Sequence, residues 1–146
     1  MQSEKHWDLP TVNDMIKTAI PLAASAQAEV LEFSRGHIKM KMPFKPNKNH
    51  VGTMYAGAIF TLAEIPGGAV LISAFDMQTY FPTLAKIETK FVAPARSDVT
   101  VECTMSDEQL DKIETEACEK GKSSFILELD IKDEKGVVVA KTIGYY

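Results

Sequence analysis

The sequence predicts an α+β domain in which a curved antiparallel sheet of about six strands wraps around one long central helix. Glu64 is the only charged residue in the apolar run 54–75, which is long enough for a helix of about 30 Å. Because this helix is apolar nearly all round, other elements must enclose it. Much of the remaining chain alternates apolar and polar residues like half-buried strands, and the short turns between these segments favour antiparallel pairing. A sheet curled around the helix satisfies both observations.

The composition is typical of a single soluble domain. The 146 residues, 45% hydrophobic and 25% charged, suffice for one core. We expect one domain over 1–146, with a helical segment at 1–24 and the main fold at 25–146. The net charge of -4 argues against a nucleic-acid partner. Cys103 and Cys118 lack a Cys-x-x-Cys spacing, and the N-terminus lacks a signal-peptide core. These features predict a cytoplasmic protein with reduced thiols.

The apolar run could form a transmembrane helix if its length alone were considered. Glu64 lies at its centre, residues 66–68 read Pro-Gly-Gly, and the chain around the run has the pattern of a sheet. A charge in the middle of a membrane span is costly, and the Pro-Gly-Gly segment interrupts the apolar run. We therefore expect the run to be buried in protein, with no membrane partner.

The N-terminal third predicts a short helix followed by two strands. Thr11 and Asp14 have the spacing of a capping box, and Pro21 should end the helix that follows them. Residues 30–33 and 38–42 alternate as strands, and a loop rich in turn formers then leads to the long helix.

The C-terminal half predicts four more strands and one more helix. The strands are expected at residues 85–91, 99–105, 125–132 and 137–145, the last two joined by a hairpin turn at 133–136. Ser106 and Gln109 form a second capping box, which starts a helix that Gly121 should end.

The most informative pattern lies in the loop and first half of the long helix. Residues 49–57 read Asn-His-Val-Gly-Thr-Met-Tyr-Ala-Gly, and Leu-Ala-Glu follows four residues later at 62–64. This resembles the acyl-CoA thioesterases of the hotdog superfamily, in particular the PaaI-like group, whose pattern is Asn-x-x-Gly-x-x-His-Gly-Gly, four residues, then Leu-Ala-Asp/Glu. Residues 91–96 look like the aromatic-x-x-Pro-Ala-Arg corner of that family. The nearest likeness is to its DUF4442 branch, over roughly residues 25–145.

The resemblance implies the hotdog fold and the hydrolysis of acyl-CoA-type thioesters. Glu64 then matches the catalytic carboxylate, acting on water as general base or directly as nucleophile. Gly57 matches the glycine whose backbone N–H polarises the thioester carbonyl, and Asn49 matches the residue that positions the water or the carbonyl. Coenzyme A would be part of the substrate, with no separate cofactor. The family site lies at a subunit interface, which implies a homodimer or homotetramer.

Elementary geometry is compatible with these roles. A helix N-terminus carries unpaired N–H groups and positive potential, and Gly57 lets a ligand approach closely because it has no Cβ. Glu64 lies seven residues further on the same helix face, about 10 Å along the axis. One thioester carbon cannot meet both groups within one chain, which is compatible with a site shared between two subunits.

The sequence departs from the family pattern near the expected site. Tyr55 and Ala56 replace His-Gly, and both are expected to contact substrate, Tyr55 as a wall of the pocket. Gly68 stands where some relatives have Ser or Thr, so a hydroxyl is missing there. The small residues at 66–68 predict either close contact between two helices or an acyl pocket.

Two further residues are expected at the mouth of the site. His50 is either a loop side chain there or an alternative acid or base. Arg96 either binds a phosphate of coenzyme A or forms a salt bridge with Asp98. His37, like His6, has no partner that the sequence reveals, so no metal site is predicted.

Other functions remain open at this stage. Glu64 could be a carboxyl hydrogen-bonded in a non-catalytic pocket, Gly57 a packing residue and Asn49 a turn former. The chain would then be a non-catalytic module that binds acyl groups or acyl-CoA. A third alternative is a hotdog dehydratase acting on 3-hydroxyacyl thioesters with His50 as base.

Overall fold

The computed structural model describes residues 7–146, so His6 lies outside the described residues. Four helices and six strands make up this part of the chain. In chain order they are α1 (Leu9–Ala19), α2 (Pro21–Ser25), β1 (Glu29–Ser34), β2 (His37–Met42), α3 (Ala56–Ile72), β3 (Lys86–Phe91), β4 (Val99–Thr104), α4 (Asp107–Lys120), β5 (Ile126–Asp133) and β6 (Val138–Tyr145), with a 3-10 turn at Lys45–Asn47 before α3.

The six strands form one antiparallel sheet in the order β1-β2-β4-β5-β6-β3. α3 contacts β2, β3, β4, β5 and β6. A single helix reaches strands across nearly the whole sheet because the sheet curls around it. The predicted fold class, a long helix wrapped by six antiparallel strands, is therefore confirmed. β1 and β3 lie at the two edges of the sheet.

The core is formed by α3 and the inward side chains of the strands. The strands β2, β4 and β5 each bury every second residue, as the alternating pattern predicted. The buried strand residues include Ile38, Met40, Met42, Val99, Val101, Cys103, Leu127, Leu129 and Ile131. The buried α3 residues are Ala58, Ile59, Leu62, Ala63, Ile65, Pro66, Gly67, Ala69, Val70 and Leu71.

The central helix is shorter than its apolar run. α3 has 17 residues, about 25 Å at the standard rise. The turn between β1 and β2 meets its C-terminal end, where Gly36 N–H donates to Ser73 Oγ at 2.8 Å and Arg35 donates to the Ala74 carbonyl at 3.3 Å. None of the helices between residues 7 and 146 has both the length and the hydropathy needed to cross a bilayer.

The N-terminal helices correct two predictions. Asp8, rather than Thr11, caps α1, and its Oδ1 accepts from the Thr11 N–H at 3.0 Å. The reason is Pro10, which has no N–H to satisfy and is favoured in the first helical turn. Pro21 ends α1 as predicted but also begins α2, a short helix that the sequence did not predict.

Local capping rules correctly predicted the C-terminal helix. Ser106 and Gln109 form the reciprocal capping box at the start of α4, and Gly121 ends it in the left-handed conformation with φ 76°. Leu110 is fully buried, which fixes the inner face of α4. The predicted hairpin between β5 and β6 is also present, with Gly136 at φ 79°.

Adjacent glycines of α3 should respond oppositely to a methyl group. A Cβ at Gly67 would overlap the Tyr146 ring, whereas a Cβ at Gly68 would meet Pro82 Cγ at 3.5 Å, an ordinary contact. We expect Gly68→Ala to stabilise the protein by about 0.5–1 kcal/mol through helix propensity. Gly67→Ala should instead destabilise it, since the gain is outweighed by displacement of the ring. Urea unfolding of the two variants tests this, and equal midpoints would contradict it.

Candidate active site

One side of α3 is not covered by the sheet. Gly57, Thr61, Glu64 and Gly68 are only half-buried, and Ala56 and Phe60 beside them are exposed, whereas most other residues of the helix are buried. Their spacing of four, three and four residues places them in a single stripe along the helix. This stripe, which we call the open stripe, contains both the carboxylate and the glycine that the sequence singled out.

Glu64 has an unusual environment for a carboxylate. Its side chain is half-buried and has no hydrogen-bond or ion-pair partner among residues 7–146. Burial raises the pKa of Glu64 above its ordinary value of 4.5. The carboxyl oxygens are not among the fully buried unpaired atoms of the described residues, so they retain contact with solvent. A carboxyl with a raised pKa at an open position of this kind is a candidate functional group.

The N-terminus of α3 offers unpaired donors. Tyr55 is the N-cap residue and makes no side-chain capping bond. The backbone N–H groups of Ala56 and Gly57 have no acceptor within the described part of the chain. Tyr55 is 62% exposed, and its ring fills the space that a side chain at Gly57 would occupy. The ring therefore borders the surface from which a ligand would reach these donors.

Asn49 is engaged by its own loop. Its Oδ1 accepts from the N–H groups of Val51 and Thr53, and its Nδ2 donates to Thr53 Oγ1 at 2.9 Å. These contacts are those of a side chain that closes a tight turn. The neighbouring His50 is exposed. The structure thus places Asn49 before α3 with its amide bonded within the turn, on the side of the molecule where Gly57 lies.

Arg96 also lies near the start of α3. The Met54 N–H donates to the Ala95 carbonyl at 2.8 Å, which ties the corner containing Arg96 to the residues just before the helix. Arg96 is exposed and forms no ion pair with any described residue. Asp98, its alternative partner, instead accepts from the Phe44 N–H at 2.8 Å. The guanidinium is consequently available to an anionic ligand.

The structure thus separates the predicted site residues into two groups. Asn49, His50, Tyr55, Ala56, Gly57 and Arg96 surround the start of α3. Glu64 lies about two turns away, roughly 10 Å along the helix. No cofactor or metal ligand set is formed by these residues within the described part of the chain.

Tyr146 is a contact of the site that the sequence did not reveal. Its hydroxyl donates to the Glu64 carbonyl at 3.2 Å, and its ring lies against Gly67 and Gly144. Burial, together with the nearby Glu64 and Cys103, raises the pKa of Tyr146 to about 12. The two glycines were visible in the sequence, but their common neighbour became apparent only from the pairing of β6 with the rest of the sheet.

His37 has partners that the sequence did not predict. Its Nε2 lies 2.8 Å from Glu32 Oε2, and its Nδ1 lies 2.9 Å from Thr104 Oγ1. Glu32, His37 and Glu102 offer ligand atoms within 4.8 Å of one another. The inward residues of β2 and β4 are buried at alternate positions, so this cluster lies on the outer face of the sheet, away from α3.

The arrangement of one long helix enclosed by an antiparallel sheet also occurs in solved structures of other proteins. A solved structure from Pseudomonas aeruginosa, described as a protein of unknown function and probable thioesterase, has 34% sequence identity and a TM-score of 0.91, covering 98% of this chain and 96% of that one. A thioesterase from Haemophilus influenzae matches with 17% identity, a TM-score of 0.74 and coverage of 99% and 92%. Zebrafish thioesterase superfamily member 2 matches with 14% identity, a TM-score of 0.69 and coverage of 96% and 97%.

These neighbours identify the architecture as the hotdog fold found in thioesterases. The model of the DUF4442 family, a domain of unknown function, matches residues 11–145, and the chain belongs to that family. A search of curated proteins gives no match. The predicted family and fold are therefore confirmed, while the roles of the individual site residues remain predictions.

Glu64 should make stability depend on pH. Because the pKa of Glu64 is raised in the folded state, the folded protein binds a proton more tightly than the unfolded chain does. The free energy of unfolding should then fall as pH rises from about 4.5 through the raised pKa. We expect Glu64→Gln to be more stable than wild type at pH 8, since a neutral amide is less costly to bury. This advantage should shrink at pH 4. Calorimetric melts at both pH values measure it, and a constant difference would contradict it.

Proposed function

We propose that this protein hydrolyses acyl-CoA-type thioesters, with Glu64 as its catalytic carboxylate. The observation that supports this most strongly is the half-buried Glu64 without a partner on the open stripe of a hotdog helix. A carboxylate that the fold leaves unpaired and partly desolvated is a stronger base than one in water. The likeness to proteins described as thioesterases points to the same reaction.

In the proposed mechanism, Glu64 acts as general base. It accepts a proton from a water molecule whose oxygen attacks the thioester carbonyl carbon. The carbonyl oxygen becomes an oxyanion, which the Gly57 N–H stabilises. The C–S bond then breaks, the carbonyl reforms as a carboxylic acid, and the proton passes from Glu64 to the leaving thiolate. Oxyanion donors of this kind contribute about 10²–10³-fold in rate.

The distance between Glu64 and Gly57 implies a second copy of the chain. The two groups are about 10 Å apart on one helix, too far to act on one carbonyl group. In a dimer formed across the open stripe, Gly57 of one protomer could face Glu64 of the other. Such a dimer would also cover Phe60 and Phe91, which are 39% and 48% exposed.

The β3 edge also favours such a dimer. β3 pairs with β6 on one side and presents its other edge without a strand partner in the described chain. The Thr89 hydroxyl on this strand is buried without a hydrogen-bond partner among the described residues.

The surroundings of α3's N-terminus fit the anionic end of coenzyme A. Arg96 is free of acidic partners, and Lys45, Lys48 and His50 are exposed in the loop that leads to the helix. Phosphates are commonly bound by such basic side chains together with unpaired N–H groups at a helix start. We propose that this basic surface binds the nucleotide portion of the substrate.

A non-catalytic acyl-CoA binding module is the second candidate. Two observations favour it: the Asn49 amide is bonded within its own turn, and the Tyr55 ring lies against Gly57. Both restrict groups that the family uses for chemistry. Binding of acyl-CoA without release of free thiol would support this candidate over hydrolysis.

Glu64→Gln should remove most of the activity. Loss of a general base lowers rates by about 10²–10⁴-fold, so we expect kcat to fall to that extent with little change in KM. Thiol release from short, long and aromatic acyl-CoAs provides the measurement. For wild type, kcat/KM should decline as pH falls through the raised pKa of Glu64. Glu119→Gln on the exposed side of α4 is the matched control, and equal rates for both variants would sink the mechanism.

Arg96→Glu should weaken the binding of coenzyme A esters specifically. Reversing this charge places a carboxylate near the substrate phosphates, so we expect KM to rise at least about fivefold, close to 1 kcal/mol. The same acyl group carried on N-acetylcysteamine has no phosphate, and its KM should not change. Lys112→Glu on α4, beside the other end of α3, controls for net charge. An equal rise in KM for both thioesters would argue against a phosphate contact.

A further inference from the structure

A cavity of about 260 Å³ lies beside the C-terminal half of α3. Its walls come from that helix, the segment 77–83, α4, the residue just before β5 and the residue just after β6. Most of its lining is apolar or aromatic. Leu71, Phe75, Ala117, Phe125 and Tyr146 are among its lining residues. The cavity is slightly smaller than typical sites for whole ligands, which begin at about 300 Å³, so it fits an acyl chain rather than a complete coenzyme A ester.

The Tyr146 ring lies at the end of this cavity nearest Glu64. Its hydroxyl donates to the Glu64 carbonyl at 3.2 Å, and its ring stacks on Phe125 with centroids 5.2 Å apart. Gly67 and Gly144 leave space for the ring, because a Cβ on either would overlap it. Three separate contacts therefore hold the ring in one place.

The order of residues along α3 places the Tyr146 ring between Glu64 and the cavity. Glu64 comes first, Gly67 under the ring follows one turn later, and Leu71 in the cavity wall follows after another turn. The distance from Glu64 to Leu71 is about 10 Å along the axis. An acyl chain that extends from a carbonyl at Glu64 towards Leu71 would meet the Tyr146 ring before it reached the cavity.

We propose that Tyr146 is a specificity-determining residue that closes this cavity to the acyl chain and so restricts the enzyme to short acyl groups. This inference rests on the proposed hydrolysis at Glu64. Replacing the ring by a methyl group would join the cavity to the space beside Glu64, and a longer chain could then bury its outer methylenes there. Each methylene buried from water favours binding by about fourfold.

The test compares wild type, Tyr146→Ala, Ala117→Leu and the double variant on hexanoyl-, decanoyl- and hexadecanoyl-CoA. We expect wild type to prefer hexanoyl-CoA. Tyr146→Ala should raise kcat/KM for decanoyl-CoA relative to hexanoyl-CoA at least tenfold. Ala117→Leu narrows the cavity from α4, so it should leave the wild-type profile unchanged and cancel the gain in the double variant. Tyr146→Phe keeps the ring and should keep the wild-type preference.

Several outcomes would overturn the inference. These are a wild-type preference for decanoyl-CoA, an unchanged profile in Tyr146→Ala, or a gain that persists in the double variant. Thermal melts identify a variant that does not fold, and Tyr146→Val then replaces Tyr146→Ala. Calorimetric binding of decanoyl-CoA is measured in parallel. If no variant releases thiol, the proposed hydrolysis is wrong. The closed cavity would still be supported if Tyr146→Ala binds decanoyl-CoA more tightly than wild type and the added Ala117→Leu substitution removes that gain. Absence of that gain in binding would reject it.

Discussion

The structure depends on the burial of α3 against the inner face of the sheet. This helix is apolar on nearly all sides, so a sheet that covered only one face would leave a large apolar surface in water. The strands β2 to β6 therefore surround it, and their inward residues form the core with it. One chain does not close this enclosure, and the open stripe is the part that stays uncovered. The position of the candidate site follows from this incomplete enclosure.

Glu64 is the point at which the sequence departs from what stability alone would favour. An apolar residue there would extend the core, whereas a half-buried carboxylate without a partner is destabilising in its charged form. Local conflicts of this kind concentrate at functional sites, where the rest of the fold compensates for them. The surrounding helix is well able to do so, because ten of its 17 residues are buried. The raised pKa of Glu64 is the electrostatic consequence of that location.

The fold could be predicted from the sequence wherever short-range rules decide the structure. The capping box at Ser106, the left-handed Gly121 and the period of two in the strands all act within a few residues. A prediction failed where a second residue nearby could play the same part, as when Asp8 rather than Thr11 proved to be the N-cap of α1. The site was only partly predictable for a different reason. The spacing of Glu64 and Gly57 follows from helix geometry alone and was therefore predictable. The contacts of Tyr146 and His37 depend on strand register across the sheet, which the sequence pattern does not reveal.

The two departures from the family pattern affect the proposed chemistry unequally. Substitution at Tyr55 changes a side chain, but the donor at Gly57 is a backbone N–H that any residue other than proline would retain. Gly68 removes a hydroxyl near Glu64, yet the space beside it is limited by Pro82 at an ordinary contact distance rather than left open. Neither departure removes the two groups to which the proposed hydrolysis assigns the roles of base and oxyanion donor, the Glu64 carboxylate and the Gly57 N–H. What the departures change is how a water molecule and the acyl group are held between them, so their effect is expected in substrate preference and rate rather than in the type of reaction.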